Sequence, residues 1–255
     1  MNTTLDTLLK SVSPRGVATL TFNHPDRANS YNAGMLDALA DGFEQFSRDS
    51  AVRVIVLRGA GKHFSAGNAI GEPGQPKRAI GDMCALIDAA PKPTVAVVHG
   101  ACIGGALALA SCCDVMIASS DAFFAVPEVR LGFAPGPLIG VFARAIGYRA
   151  LRRYLISGER FTADEAHRLG MVHQLCDAAE IDSVADELID RMLLGAPGAA
   201  ATAKRLLQKQ APATLSPDEL RDMQAAFEAM AKSDEAAEGR AAFKEKRKPS
   251  WYPPR

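Results

Sequence analysis

The chain has 255 residues, 48% of them hydrophobic, with 29 basic and 29 acidic residues and a formal net charge of zero. That is enough apolar material to bury a substantial core in one α/β domain, or one with a small appendage, and the balanced charge removes any global electrostatic case for a nucleic-acid partner. Five cysteines without metal-ligand spacing, two of them adjacent at Cys112-Cys113, fit a reducing compartment better than a disulfide framework. With no apolar signal core near the N-terminus and no long apolar run, a soluble cytoplasmic protein without a membrane partner is expected.

In chain order, Val17–Phe22 reads as a strand closed by the turn-forming Asn23-His24-Pro25-Asp26. Met35, Leu36, Leu39, Phe43 and Phe46 then recur at helical spacing. Strands are expected near 52–58, 94–98 and 114–118, an alternation that favours parallel pairing through crossover helices. Gly71-Glu72-Pro73-Gly74-Gln75-Pro76 is expected to form a surface loop. Beyond Gly136 the pattern is almost entirely helical. Thr162-Ala163-Asp164-Glu165 is a capping-box start with Gly170 as its stop. Ser216-Pro217-Asp218-Glu219 is a second start, with proline where the first turn tolerates it. The C-terminal stretch is rich in alanine and charge, too thin for a core of its own, and must pack on the α/β core or on neighbouring subunits. The expected division is a core of residues 1–195 and a helical oligomerisation segment of residues 196–255.

Two glycine-bearing loops carry the chemical signal. Thr94–Val98 leads into His99-Gly100-Ala101-Cys102-Ile103-Gly104-Gly105-Ala106, from which a small apolar helix departs. Phe64-Ser65-Ala66-Gly67-Asn68 follows the strand near 52–57. The start of a helix carries partial positive charge and unpaired N–H donors, so two such loops could stabilise one developing oxyanion, which points to acyl chemistry. Blander readings exist for several of these residues. The Gly104-Gly105 pair serves equally for close helix–strand packing. His63 and Ser65 suggest a serine hydrolase, but no Gly-x-Ser-x-Gly elbow is present. His99 reads as structural, the cysteines as small apolar fillers, and Lys246 as part of a solvated basic run. Gly100 to Gly105 lacks the spacing of a dinucleotide loop.

Taken together and in order, Asn23-His24-Pro25-Asp26-Arg27-Ala28-Asn29, Phe64–Asn68, Lys92–Gly100, Gly104-Gly105-Ala106, Cys113-Asp114, Pro127–Gly132, Ser157–Phe161 and Phe243–Pro249 resemble the crotonase superfamily of enoyl-CoA hydratases and isomerases over nearly the whole chain. The resemblance implies a spiral of strand–strand–helix repeats followed by a helical C-terminal segment, assembled as a homotrimer or a dimer of trimers. It implies an acyl-CoA thioester as substrate and no cofactor. Its oxyanion hole, two backbone N–H groups, falls at Asn68 and Gly105. The contacts to the nucleotide end of CoA fall at Arg27, Ala28 and Ala66, with Phe243 and Lys246 from the C-terminal segment. Asn68 stands where the family usually has alanine, a change that a backbone donor tolerates, and Ala69 stands where it usually has aspartate.

The resemblance also locates the acid and base. Hydratases of this kind use two glutamates around one water. One of those positions is Glu128; the other is Ala108, which has no proton to give or take. A carboxyl beside a bound, largely water-free acyl group should have a raised pKa, suited to general acid–base work near neutrality. Val98-His99-Gly100, Ser111-Cys112-Cys113-Asp114 and Arg144-Ala145-Ile146-Gly147 with Arg152-Arg153-Tyr154 look like bacterial methylglutaconyl-CoA hydratases, which favours hydration of a 2-enoyl-CoA. Two alternatives follow from Ala108: double-bond isomerisation by Glu128 alone, and a non-catalytic acyl-CoA binder. An RNA-associated homologue is disfavoured by the neutral charge. Pocket walls are expected around Gly71–Ile80 and Pro135–Phe142, with Pro137-Leu138-Ile139 replacing family glycines.

Overall fold

A computed structural model describes residues 7–70, 74, 76–210 and 217–252. The chain opens with β1 (Leu8–Val12) and β2 (Val17–Phe22), then α1 (Ala33–Arg48), β3 (Val54–Gly59), α2 (Ile80–Asp88) and β4 (Thr94–Val98). It continues through β5 (Ala101–Ile103), α3 (Gly105–Ser111), β6 (Val115–Ser119), β7 (Phe123–Ala125), α4 (Ile139–Ser157), β8 (Arg160–Thr162), α5 (Ala163–Arg168) and β9 (Gln174–Cys176). Four helices follow: α6 (Ile181–Leu193), α7 (Pro197–Gln210), α8 (Pro217–Ala231) and α9 (Asp234–Lys244).

Two sheets result. The larger has the order β1-β2-β3-β4-β6-β9, antiparallel at β1–β2 and parallel elsewhere. The smaller has the order β5-β7-β8. Two successive turns, β4-β5-α3 and β6-β7-α4, each give one strand to the large sheet and a short one to the small sheet before the next helix, as the expected spiral of strand–strand–helix repeats requires. The near-continuous apolar strands are those of a parallel sheet covered on both faces. Ile55, Leu57, Ala96 and Val98 face the principal core with Leu39 and Phe43 of α1 and Met83 and Ile87 of α2. Val54, Val56, Val95, Val97 and Ile117 face the other way, onto Ile181, Ala185 and Ile189 of α6. This alternation fixes the register, because a one-residue slip would exchange the two faces.

The helix expected from Met35 to Phe46 is α1, with all five named residues buried; Asn32 caps it by accepting the Met35 N–H at 3.0 Å. Thr162 caps α5 through the Glu165 N–H (3.2 Å), but the Glu165 carboxylate turns to Tyr154 and Arg168 instead of completing the box. Beyond Gly136 the chain is less uniformly helical than its pattern suggests. β8 pairs with β7, placing Phe161 against Phe124 and Tyr154, and β9 pairs with β6. At three residues each, both strands are too short to show alternation. Ser216, of the second expected helix start, and most of the expected loop at 71–76 lie outside the described residues. No described helix is long and apolar enough to cross a membrane.

Helices α8 and α9 pack on the turns after β7. A Cβ on Gly239 would lie 2.5 Å from the Leu131 carbonyl carbon, and Phe227 meets Phe133 edge-to-face at 5.5 Å.

Candidate active site

The site forms where the small sheet is extended by two single-residue bridges. Ser65 pairs with Cys102, its N–H donating to the Ala101 carbonyl (3.0 Å) while its carbonyl accepts the Ile103 N–H (3.1 Å). Asn68 pairs with Tyr31, whose N–H donates to Gly67 (2.9 Å) and whose carbonyl accepts the Ala69 N–H (2.9 Å). The two loops singled out in the sequence are therefore laid side by side by backbone pairing. A Cβ on Gly67 would lie 2.7 Å from the Ile103 carbonyl oxygen and 4.0 Å from the Gly105 nitrogen. Among the described residues, no protein acceptor takes the Asn68 or the Gly105 N–H. Gly105 opens α3, where an orphan N–H is expected.

The side chains of the first loop hold it in place. Ser65 is fully buried; its hydroxyl donates to the Asn29 carbonyl (2.7 Å) and accepts the Gly67 N–H (3.2 Å). Asn29, also fully buried, donates to the Ala60 (2.7 Å) and His63 (2.6 Å) carbonyls and accepts the His24 N–H (2.8 Å). His63 Nδ1 accepts the Ala101 N–H (3.1 Å), and partial burial lowers its pKa. His99 Nε2 meets the Gly61 carbonyl at 2.9 Å. Ser65, His63 and His99 are thus occupied in backbone contacts, as scaffold groups are. The cysteine thiols at 84, 102 and 113 are pushed up by their surroundings, Cys84 chiefly through Cys112 and the other two chiefly by burial. They behave as the apolar fillers the sequence suggested.

Glu128 is different. It begins a single 3-10 turn, Glu128–Leu131, after Pro127, and only 9% of its surface is exposed. Its carboxyl rests on the second loop: a Cβ on Gly104 would lie 2.7 Å from Oε1, and Gly104 itself has φ +57°. Both the backbone angle and the approach of the carboxyl therefore require glycine there. Oε2 is buried and, among the described residues, has no hydrogen-bond partner. Burial pushes the Glu128 carboxyl up to about 7, against the opposing pull of a hydrogen bond with its own backbone. Ala108, one turn into α3, is fully buried and its N–H closes on the Gly104 carbonyl (3.1 Å).

Of the residues expected at the nucleotide end, three come together. The Ala66 N–H donates to the Ala28 carbonyl at 2.8 Å, and Arg27 precedes Ala28 on an exposed turn. Phe243, 64% exposed, and Lys246 lie at the end of α9. Among the described residues they make no hydrogen bond or ring contact with that cluster. Gly81 of α2, one residue past the expected wall at Gly71–Ile80, lies against the other expected stretch, Pro135–Phe142: a Cβ on it would lie 3.2 Å from Pro137 Cβ. One residue of the site was missed by sequence reasoning. The Tyr31 side chain reaches Gly105, where an added Cβ would overlap its hydroxyl oxygen, with Ile80 Cγ1 at 3.4 Å. A lone aromatic before a helix start carries no signal that separates it from a core residue.

This geometry has known counterparts. The sequence profile of the enoyl-CoA hydratase/isomerase family matches residues 13–253, and the chain belongs to that family, within the crotonase superfamily. It is an acyl-CoA-processing enzyme. It is 30% identical over 246 residues to the 2,3-dehydroadipyl-CoA hydratase of Escherichia coli (strain K12), covering 92% of this chain and 94% of that one. A solved enoyl-CoA hydratase from Mycobacterium avium subsp. paratuberculosis K-10 superposes with a TM-score of 0.85 at 30% identity, covering 98% of this chain and all of that one. A methylmalonyl-CoA decarboxylase structure superposes with a TM-score of 0.83 at 26% identity, covering 96% and 98%. One scaffold therefore serves different reactions, and the reaction must be argued from the site.

Proposed function

We propose that the chain hydrates a 2-enoyl-CoA to a 3-hydroxyacyl-CoA with Glu128 as its single acid–base group. The observation that carries this reading is a buried carboxyl with an unpartnered oxygen, set against the glycine loop at the head of α3. The Asn68 and Gly105 N–H groups hold the thioester oxygen. The ionised Glu128 takes a proton from water as the water oxygen bonds to C3, and the C2–C3 π electrons move toward the thioester oxygen to form an enolate. The enolate collapses with transfer of that proton from Glu128 to C2, so that one water is added across the double bond. Losing one oxyanion donor would cost about 2.7–4 kcal/mol of barrier. The hydratase names of the relatives support this direction.

Arg27, Ala28 and Ala66 serve the nucleotide end of CoA, with Phe243 and Lys246 adding contacts from the C-terminal helix of the same or a neighbouring subunit. Residues 196–255 form the segment through which a homotrimer or dimer of trimers assembles, a reading supported by the exposed apolar side chains of Leu206, Leu207 and Phe243. On this reading the reaction draws on no cofactor, since Glu128 and the two backbone donors supply its chemistry, and we place the enzyme in the cytoplasm.

Ala108 favours one second reading, isomerisation of a 3-enoyl-CoA with Glu128 carrying a proton between two carbons. Incubation with crotonyl-CoA, 3-methylglutaconyl-CoA and a 3-enoyl-CoA, followed by mass analysis, separates the two. Hydration adds one water; isomerisation leaves the mass unchanged and moves the double bond. A product of unchanged mass as the only product would replace the hydratase reading.

A further inference from the structure

The reaction above leaves unused a buried polar side chain that lies against Gly105, that of Tyr31. Tyr31 is 3% exposed and touches both halves of the proposed oxyanion hole. Its backbone grips Gly67 and Ala69 at 2.9 Å each, holding the Asn68 peptide between them. Its hydroxyl occupies the space that a Cβ would take at Gly105. The position is also close enough to Glu128 that the carboxylate's charge, second to burial, drives the phenol pKa far above neutrality. The phenol is therefore a permanent donor across the physiological range, beside a helix start whose second proton-carrying position is the inert Ala108.

We propose that the Tyr31 hydroxyl is a third hydrogen-bond donor to the thioester oxygen, seated on Gly105 and completing the pair of backbone N–H groups. The inference rests on the assignment of Asn68 and Gly105 as the oxyanion donors. It also explains why residue 105 must be glycine, since any side chain there would displace the phenol. A donor aimed at charge that develops in the transition state acts on kcat more than on KM.

The test is infrared difference spectroscopy of bound butyryl-CoA carrying a 13C thioester carbonyl, a saturated probe that cannot be hydrated, together with kinetics on crotonyl-CoA. Tyr31→Phe keeps the ring volume. It should move the bound carbonyl band part of the way back toward its free position and lower kcat about 10- to 100-fold, with KM within about threefold. Replacement of Tyr31 by 3-fluorotyrosine, a stronger donor of nearly the same size, should move the band the opposite way, which a purely structural role would not do. A wild-type band position in both variants, with a polarised carbonyl in the unaltered protein, overturns the role of Tyr31 and leaves the two backbone donors standing. A carbonyl band in the unaltered protein no different from that of free butyryl-CoA overturns the oxyanion hole and Tyr31 together.

Discussion

Asp114 and Glu128 are two acidic residues on the same scaffold with opposite surroundings. At the start of β6, Asp114 Oδ2 accepts the Thr94 N–H (2.7 Å), the Thr94 hydroxyl (2.9 Å) and the Lys204 ammonium (2.8 Å). Thr94 Oγ1 in turn accepts the Asp114 N–H (2.8 Å). That corner ties β4, β6 and α7 together through the one carboxylate oxygen, Oδ2. Past β7, Glu128 is more deeply buried and has an oxygen with no partner among the described residues. A carboxyl oxygen that no described protein group takes is available to a water or a substrate. The contrast teaches what separates a structural acid from a candidate reactive one: Asp114, exposed and bonded to Thr94 and Lys204, builds the fold, and Glu128, buried with an oxygen that no described protein group takes, is placed to react.

The widest separation between the two should come from removing each charge. Glu128→Gln should lower turnover about 10²- to 10⁴-fold while leaving the melting temperature at neutral pH no lower than that of the parent, read by product assay and calorimetry. Next in size is Gly105→Ala, whose methyl would collide with the Tyr31 hydroxyl and disturb one oxyanion donor. Turnover should fall about 10²-fold or more, and the accompanying stability loss should shrink in the Gly105→Ala/Tyr31→Phe double variant. Stability should also depend on pH through Glu128. Its carboxyl lies near 4.5 unfolded and about 7 folded, so the folded state binds the extra proton between those values. The contribution is complete below about 4.5 and is lost as pH rises through about 7, a change on the order of 3 kcal/mol. Chemical denaturation of the parent across that window should show the slope, and Glu128→Gln should flatten it. The smallest effect should be that of Asp114→Ala, which strands Thr94 and Lys204. A loss of about 2–3 kcal/mol is expected, seen as several degrees in the melting temperature, with turnover per folded molecule near that of the parent.

Much of this was legible in the sequence, and for identifiable reasons. Helix α1 announces itself because the apolar period and burial coincide at Met35, Leu36, Leu39, Phe43 and Phe46, and β4 because Thr94–Val98 is an unbroken β-prone run that is buried throughout. The two glycine loops were visible as punctuation after strands, and the resemblance to crotonases singled out Glu128 and Ala108 together. What stayed hidden depends on long-range pairing. The bridges Ser65–Cys102 and Tyr31–Asn68 that lay the loops side by side join residues far apart in the chain and leave no local pattern. Tyr31 enters the site only through those bridges. Strands β8 and β9 exist because β7 and β6 offer them edges, not because their own three residues prefer extension.

The account stands most directly on the titration of Glu128 during turnover. Measured on crotonyl-CoA, kcat/KM of the parent should climb with pH as the carboxyl ionises around 7 and then level off. Glu128→Gln should lose at least about 10² in rate and show no such limb. A Glu128→Gln variant that kept the parent's rate and the same pH limb would place the acid–base group elsewhere and contradict the account.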